Sequence, residues 1–429
     1  MVLIVLAVLV IGALWFVLRR RTATRMAPIY GANPAMPVAR PQGSMPTLKM
    51  PTAKGWEPGQ KPATAPGLAV SAFAAKLRHP RWIYVLPNGD VLIAESATQA
   101  GKVRSITDFV ANRTMRRAGA QQKSANQITL LRDADGDGVP ETREVFLEGL
   151  NQPFGMVLIG ETLYVGNTDS VVAFPYETGQ TKITAAPRKL MEMKPAGHWT
   201  RNLHASSDGT KIYVGVGSLT NIADEGMEAE AGRAAIHELD LTTGKSRIFA
   251  SGLRNPVGMA WEPSTGALWT VVNERDGLGD ETPPDYLTSV KDGGFYGWPY
   301  SYWGTVDDRV PQDPAMVAKA TPPDYALGGH TASLGLCWVP EGTLPGMPAG
   351  MAIGQHGSWN RSTLSGYKVV LVPFENGKPV GTPRELLTGF LAPDEKFSHG
   401  RPVGVALAKD GAVLVADDVG NMIWRLTGA

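Results

Sequence analysis

Asp133, Asp135, Asp137, Gly138 and Glu144 satisfy the spacing D-x-D-x-D-G-x5-E, which surrounds a hard cation with carboxylates while the glycine permits the sharp turn between them. Calcium is the expected ion. The flanks QITLLR and EVFLEGL read as strands and Pro140 sits inside the loop, so an ion here braces a hairpin, with an ion-free acidic turn as the alternative. A second set of residues is scattered but shares a context. His198 in GHWTRNL, Arg254 and Asn255 in GLRNPVG, and Arg401 in GRPVGVAL each stand at the beginning of a short repeated unit. Arginines bind carboxylates through their planar fork, so such groups opening on one cavity suit an anionic cofactor. His204, inside its repeat, reads as structural.

The units that must position these groups follow one pattern: a Pro or Gly turn, a short apolar strand, a Gly-containing hairpin turn, and a second apolar strand. Six copies occur, over 79–96, 151–169, 202–218, 254–274, 334–357 and 401–418. Segments such as VVAFPY (171–176) and AAIHELDL (234–241) supply outer strands, and NMIWRLTG at the C-terminus helps to close a ring. The expected fold is all-β: a six-bladed β-propeller over 68–429. In a propeller the loops at the repeat starts gather at one end of the central channel, which brings His198, Arg254, Asn255 and Arg401 together.

Composition agrees and excludes some functions. Gly 49 and Pro 33 suit many short strands joined by turns. A net charge of +1 offers no field for nucleic acid, and the single cysteine, Cys337, excludes an intramolecular disulfide. The N-terminus is different in kind. Val2 to Leu18 is uninterruptedly apolar and is followed by Arg19, Arg20 and Arg21, the pattern of a transmembrane anchor over 1–21. Residues 22–67 are rich in Pro, Ala and Gly and read as an extended linker. Taken literally, the arginines place the following domain in the cytoplasm.

The strings GHWTRNL, GLRNPVGMAW, NERDGLGD, DGGFYGWPYSYWG, QHGSWNRS and GRPVGVAL resemble those of the sorbosone dehydrogenase family, relatives of the soluble glucose and aldose sugar dehydrogenases that use pyrroloquinoline quinone (PQQ). The resemblance covers Leu68 to the C-terminus. It implies a six-bladed propeller holding PQQ and Ca2+ on its axis, and oxidation of a sugar, a sugar aldehyde or a polyol, with electrons passed to a quinone or cytochrome acceptor on the periplasmic side. By position, His198 resembles the general base, Arg254 and Asn255 the groups beside the reactive carbonyl, and Arg401 an arginine on a PQQ carboxylate. Carbonyls at Gly297 and Pro299 correspond to calcium ligands. Gln152 occupies the equivalent loop of the second repeat. The family's fifth-repeat lysine has no counterpart, with Arg361 or His356 standing nearest, and Val403 replaces a second arginine. A calcium-dependent lactonase and a non-catalytic binding propeller are the competing readings of the same fold.

Overall fold

The computed structural model describes residues 29–40, 47–100, 106–305 and 310–429. Six antiparallel sheets follow one another along the chain as six blades. Blade 1 is formed by Pro80–Val85, Val91–Glu95, Gln127–Arg132 and Thr142–Leu147. Blade 4 opens with Pro256–Glu262 and Ala267–Val272, and blade 5 with Ser333–Val339 and Gly350–Gln355. Blade 6 joins Pro402–Leu407, Val413–Asp417 and Met422–Gly428 to Leu68–Ala74, so the first strand of the ring is hydrogen-bonded to the last. The segments 171–176 and 234–241 form third strands, Ser170–Pro175 and Ala235–Asp240, as the sequence predicts.

The apolar alternation of each strand fills the spaces between blades. Six large clusters of buried side chains lie between neighbouring blades, for example Trp82, Phe146, Phe154 and Phe174 between blades 1 and 2. Where the inner strands of neighbouring blades meet at glycines, there is no room for a side chain. A Cβ on Gly155 would lie 2.2 Å from Leu203 N in the next blade, and one on Gly335 would lie 2.2 Å from Val403 O. These glycines belong to the repeats read from the sequence, and close backbone approach is why the repeats contain them.

Residues 47–67, expected as part of a free linker, are extended but tied down. Thr52–Ala53 pairs with Phe397–Ser398, Ala63–Thr64 pairs with Arg384–Thr388, and Trp56 packs edge-on against Phe390 and Trp424. Tyr30–Gly31 adds a further strand to blade 4. These residues strap the ring because their aromatic and backbone groups find partners there. A helix, α1 (Ile106–Arg117), is inserted within blade 1. The expected anchor Val2–Leu18 lies outside the described residues, and among the described residues no helix is long and apolar enough to cross a membrane.

Gly335→Ala should lower stability by at least about 1–3 kcal/mol through overpacking at the axis, read from the urea midpoint. An unchanged midpoint would show that the inner strands can move apart.

Candidate functional site

In each blade the start of the first strand and the end of the second lie side by side, as the pairing Pro402–Asp417 shows in blade 6 and Pro80–Glu95 in blade 1. Side chains from these ends enclose a cavity of about 290 Å³ at one end of the channel. Its polar lining includes His79 and Arg81 from blade 1, His198 before blade 3, Asn255 and Asn273 from blade 4, His356 after the second strand of blade 5, and Arg401 and Asp418 from blade 6. Trp199 and Trp359 give it aromatic walls, while Met50 of the strap and Met115 of α1 also line it.

His198 is held at its backbone and its ring. Its N–H donates to Ser218 O at 3.1 Å, and Nδ1 lies 2.9 Å from the same carbonyl. A carbonyl only accepts, so the proton is on Nδ1 and the Nε2 lone pair is left without a protein partner among the described residues. Burial, then the nearby Arg254 guanidinium, push its pKa down to about 3, so the ring is neutral throughout the ordinary range. Arg401 donates Nε–H to His356 O at 2.8 Å and Nη2–H to Gly357 O at 2.7 Å, and its guanidinium stands 5.2 Å from the Tyr367 ring centre. Nη1 makes no protein hydrogen bond among the described residues. Arg81 is bound to Asp418 through Nη1 and stands 5.5 Å from the Trp199 ring centre, while its buried Nε–H has no acceptor among the described residues.

Other expected residues lie elsewhere. Arg254 does not line the cavity: its guanidinium donates to Glu274 O at 2.9 Å, Asn221 Oδ1 at 3.0 Å and Asp276 Oδ2 at 3.2 Å. Its carbonyl accepts from Ser218 N at 2.7 Å, so it supports His198 from behind. Arg361 is paired with Glu281 and also donates to Gly329 O at 3.0 Å, outside the cavity. Gln152 turns its amide to Ala97 O at 2.8 Å, and its φ of 47° gives it a turn-forming role. Gly297 O already accepts from Tyr300 N at 2.9 Å and Ser301 N at 3.0 Å, and neither Gly297 nor Pro299 borders the cavity, so they do not fit a calcium ion there. On blade 1, oxygens of Asp133, Asp135, Asp137 and Glu141 lie within 4.8 Å of one another, about the span across an ion with ligands at roughly 2.4 Å. Glu144 is not among them. It belongs to the strand Thr142–Leu147, paired with Leu130, and Glu141 takes the place expected of it.

Sequence reasoning missed His79, Arg81, Asn273 and Asp418. The signal was present: HPR opens the first repeat where RNP and RP open others, and VADD ends the second strand of the sixth. Among the described residues one carboxylate, Asp418, lines the cavity, and it is engaged by Arg81, His79 and His356. A metal-dependent hydrolase would require several free acids there.

The TrAA12-like family model matches residues 62–285 and 301–429. The chain belongs to this family. An uncharacterized protein of Borreliella burgdorferi is 31% identical over 67% of this chain and 79% of its own length. A pyrroloquinoline quinone-dependent pyranose dehydrogenase of Coprinopsis cinerea is 25% identical over 47% of this chain, but that match spans only 34% of its length. Among solved structures, a Trichoderma reesei member of carbohydrate-active enzyme family AA12 superposes with a TM-score of 0.70 at 20% identity, covering 90% of this chain and 100% of that one. The holo form of the C. cinerea pyranose dehydrogenase PQQ domain gives 0.67 at 21% identity, covering 89% and 100%. The resemblance to PQQ-dependent soluble sugar dehydrogenases read from the sequence is borne out.

The depressed pKa of His198 has a measurable consequence. In the protein without added ligands the ring should stay unprotonated down to about pH 4, followed by its ring resonances in an NMR titration. Because the unfolded ring titrates near about 6.5, this group removes stability as the pH falls from there toward about 3. A midpoint near the ordinary value would contradict the burial and the cationic surroundings.

Proposed function

We propose that this chain is a PQQ-dependent oxidoreductase acting on a sugar, a sugar aldehyde or a polyol. The observation that carries the reading is the cavity itself, in which two guanidiniums outnumber the one carboxylate found among the described residues, the His198 and His356 imidazoles are neutral, and two indoles form walls. PQQ is a flat quinone bearing three carboxylates, and these donors fit it. The unpartnered Nη1 of Arg401 and the acceptor-less Nε–H of Arg81 offer charged hydrogen bonds to carboxylates, and Trp199 and Trp359 offer faces for stacking. The C. cinerea relative described above as a PQQ-dependent pyranose dehydrogenase supports the same reading.

When bound, PQQ supplies the two-electron acceptor for oxidation of the substrate carbon. The chain supplies position and the proton acceptor. His198 presents the Nε2 lone pair to the cavity, where it takes the proton of a substrate hydroxyl, and Ser218 O stabilises the Nδ1–H of the imidazolium that forms. Arg254, through its carbonyl on Ser218, keeps that carbonyl in place. Asn255 stands beside His198 over Gly217, its Nδ2–H donating to Asn273 Oδ1 at 3.3 Å and leaving Oδ1 buried without a partner among the described residues. The acidic loop at Asp133, Asp135, Asp137 and Glu141 suits a structural calcium that braces a blade 1 hairpin. The apolar run Val2–Leu18 supports a membrane-tethered protein; the family resemblance, against the arginines that follow the run, supports a periplasmic propeller that delivers electrons to a quinone or cytochrome.

Titration of the full chain with PQQ, followed by dye reduction across a panel of sugars, aldehydes and polyols, tests the reading. Saturable binding and turnover of at least one class are expected, and absence of PQQ binding would remove it. His198→Ala should lower kcat by about 100-fold or more while PQQ binding stays close to wild type. Arg401→Ala should weaken PQQ binding by about tenfold or more through loss of a charged hydrogen bond. Unchanged values would take each residue out of its role.

A further inference from the structure

Asp418 sits where three blades meet. It is 2% exposed, and its Oδ2 accepts from Arg81 Nη1, stands 2.9 Å from His356 Nε2 and lies 3.4 Å from His79 Nε2. Burial opposes its charge, yet His356, His79 and Arg81 together hold its carboxyl well below the usual carboxylate range, so it is an anion. Its main-chain carbonyl lies 3.0 Å from His79 Nδ1, which therefore carries the proton on that nitrogen. His79 itself has a φ of 59°, a conformation a non-glycine residue keeps only where its surroundings enforce it, and here its N–H is tied to Asn421 Oδ1 at 2.9 Å.

The consequence for His356 is a choice of tautomer. An ionised carboxylate only accepts, so the nitrogen facing it must donate: Nε2 carries the hydrogen. Arg81 Nη1 stands 3.5 Å from the same nitrogen, at the limit of hydrogen-bond distance, and makes its shorter contact to Asp418 Oδ2, so the carboxylate decides where the proton of His356 sits. Nδ1 is then a lone pair, with no protein partner among the described residues, on a ring that lines the cavity. We propose that Asp418 is a positioning residue that fixes His356 as the Nε2–H tautomer, giving the cavity a second neutral imidazole acceptor alongside His198. The two acceptors are set by different means, one by a main-chain carbonyl and one by a carboxylate. Among cofactor and substrate groups, the one at His356 selects a donor, such as a hydroxyl of a sugar or polyol, and disfavours a carboxylate. This rests on the function proposed above, in which the substrate is a hydroxyl compound.

Nitrogen-15 spectra of the full chain labelled at histidine read the tautomer directly and need no PQQ. The expected result is a pyrrole-type Nε2 and a pyridine-type Nδ1 for His356, assigned by loss of its signals in His356→Gln, and a protonated Nδ1 would overturn the proposal. Asp418→Asn can donate to the ring and should reverse the tautomer. It should also lower kcat about 10- to 100-fold, with Asp418→Glu recovering part of the loss. A purely electrostatic role predicts the opposite sign for cofactor binding, because removing a buried anion makes the cavity more cationic. Tighter PQQ binding by Asp418→Asn with kcat unchanged would therefore refute positioning. If Asp418→Asn fails to fold, the wild-type spectrum alone decides. Failure of the wild-type chain to bind PQQ would instead count against the function and leave the tautomer result standing.

Discussion

The close approach of the inner strands around the axis is the constraint on which the rest of the structure depends. Where Gly155 and Gly335 meet the backbone of the next blade there is no space for even a methyl group. Packing that tight holds neighbouring inner strands together through the ring, and a cavity opens where the strands end. Residues at the beginnings of first strands and the ends of second strands are consequently crowded into one small space, although they come from positions as far apart as His79 and Asp418.

Crowding polar residues into a space with little water sets their charge states. His79, His198 and His356 all have pKa values lowered chiefly by burial, while the guanidiniums remain as cations and Asp418 as the one anion. The outcome is a cavity with more cationic than anionic groups, uncharged proton acceptors at His198 and His356, and unspent hydrogen-bond capacity on Arg81 and Arg401. Such a site is poorly suited to gripping a divalent metal by carboxylates and well suited to a flat polyanion. The second tier, in which Arg254, Arg201 and Ser218 hold the loop of His198, gives the acceptor a fixed orientation.

Much of this was legible in the sequence because a propeller repeats its chemistry. The turn–strand–turn–strand units announced six blades, and His198, Asn255 and Arg401 were recognisable as polar residues placed alike within them. The same rule applied to the first repeat would have found His79 and Arg81. Asp418 was less visible, since an acid after a strand reads as a turn, and its role emerges only when blades 1, 5 and 6 meet around it. Arg361 and Gln152 were placed correctly along the chain but point away, Arg361 drawn to Glu281 and Gln152 to Ala97 O. Spacing alone could not choose between Glu141 and Glu144, because the strand pairing of Thr142–Leu147 decides which acid faces the loop. Residues 47–67 look disordered in composition, yet short pairings and Trp56 hold them to the ring.

The most direct test of the central claim is a crystal structure of the full chain grown with PQQ. The account predicts the flat ligand inside the cavity of about 290 Å³, with carboxylates on Arg81 and Arg401 and the Nε2 edge of His198 facing the remaining space. PQQ bound elsewhere on the propeller, or a cavity that excludes it at saturating concentration, would contradict the account.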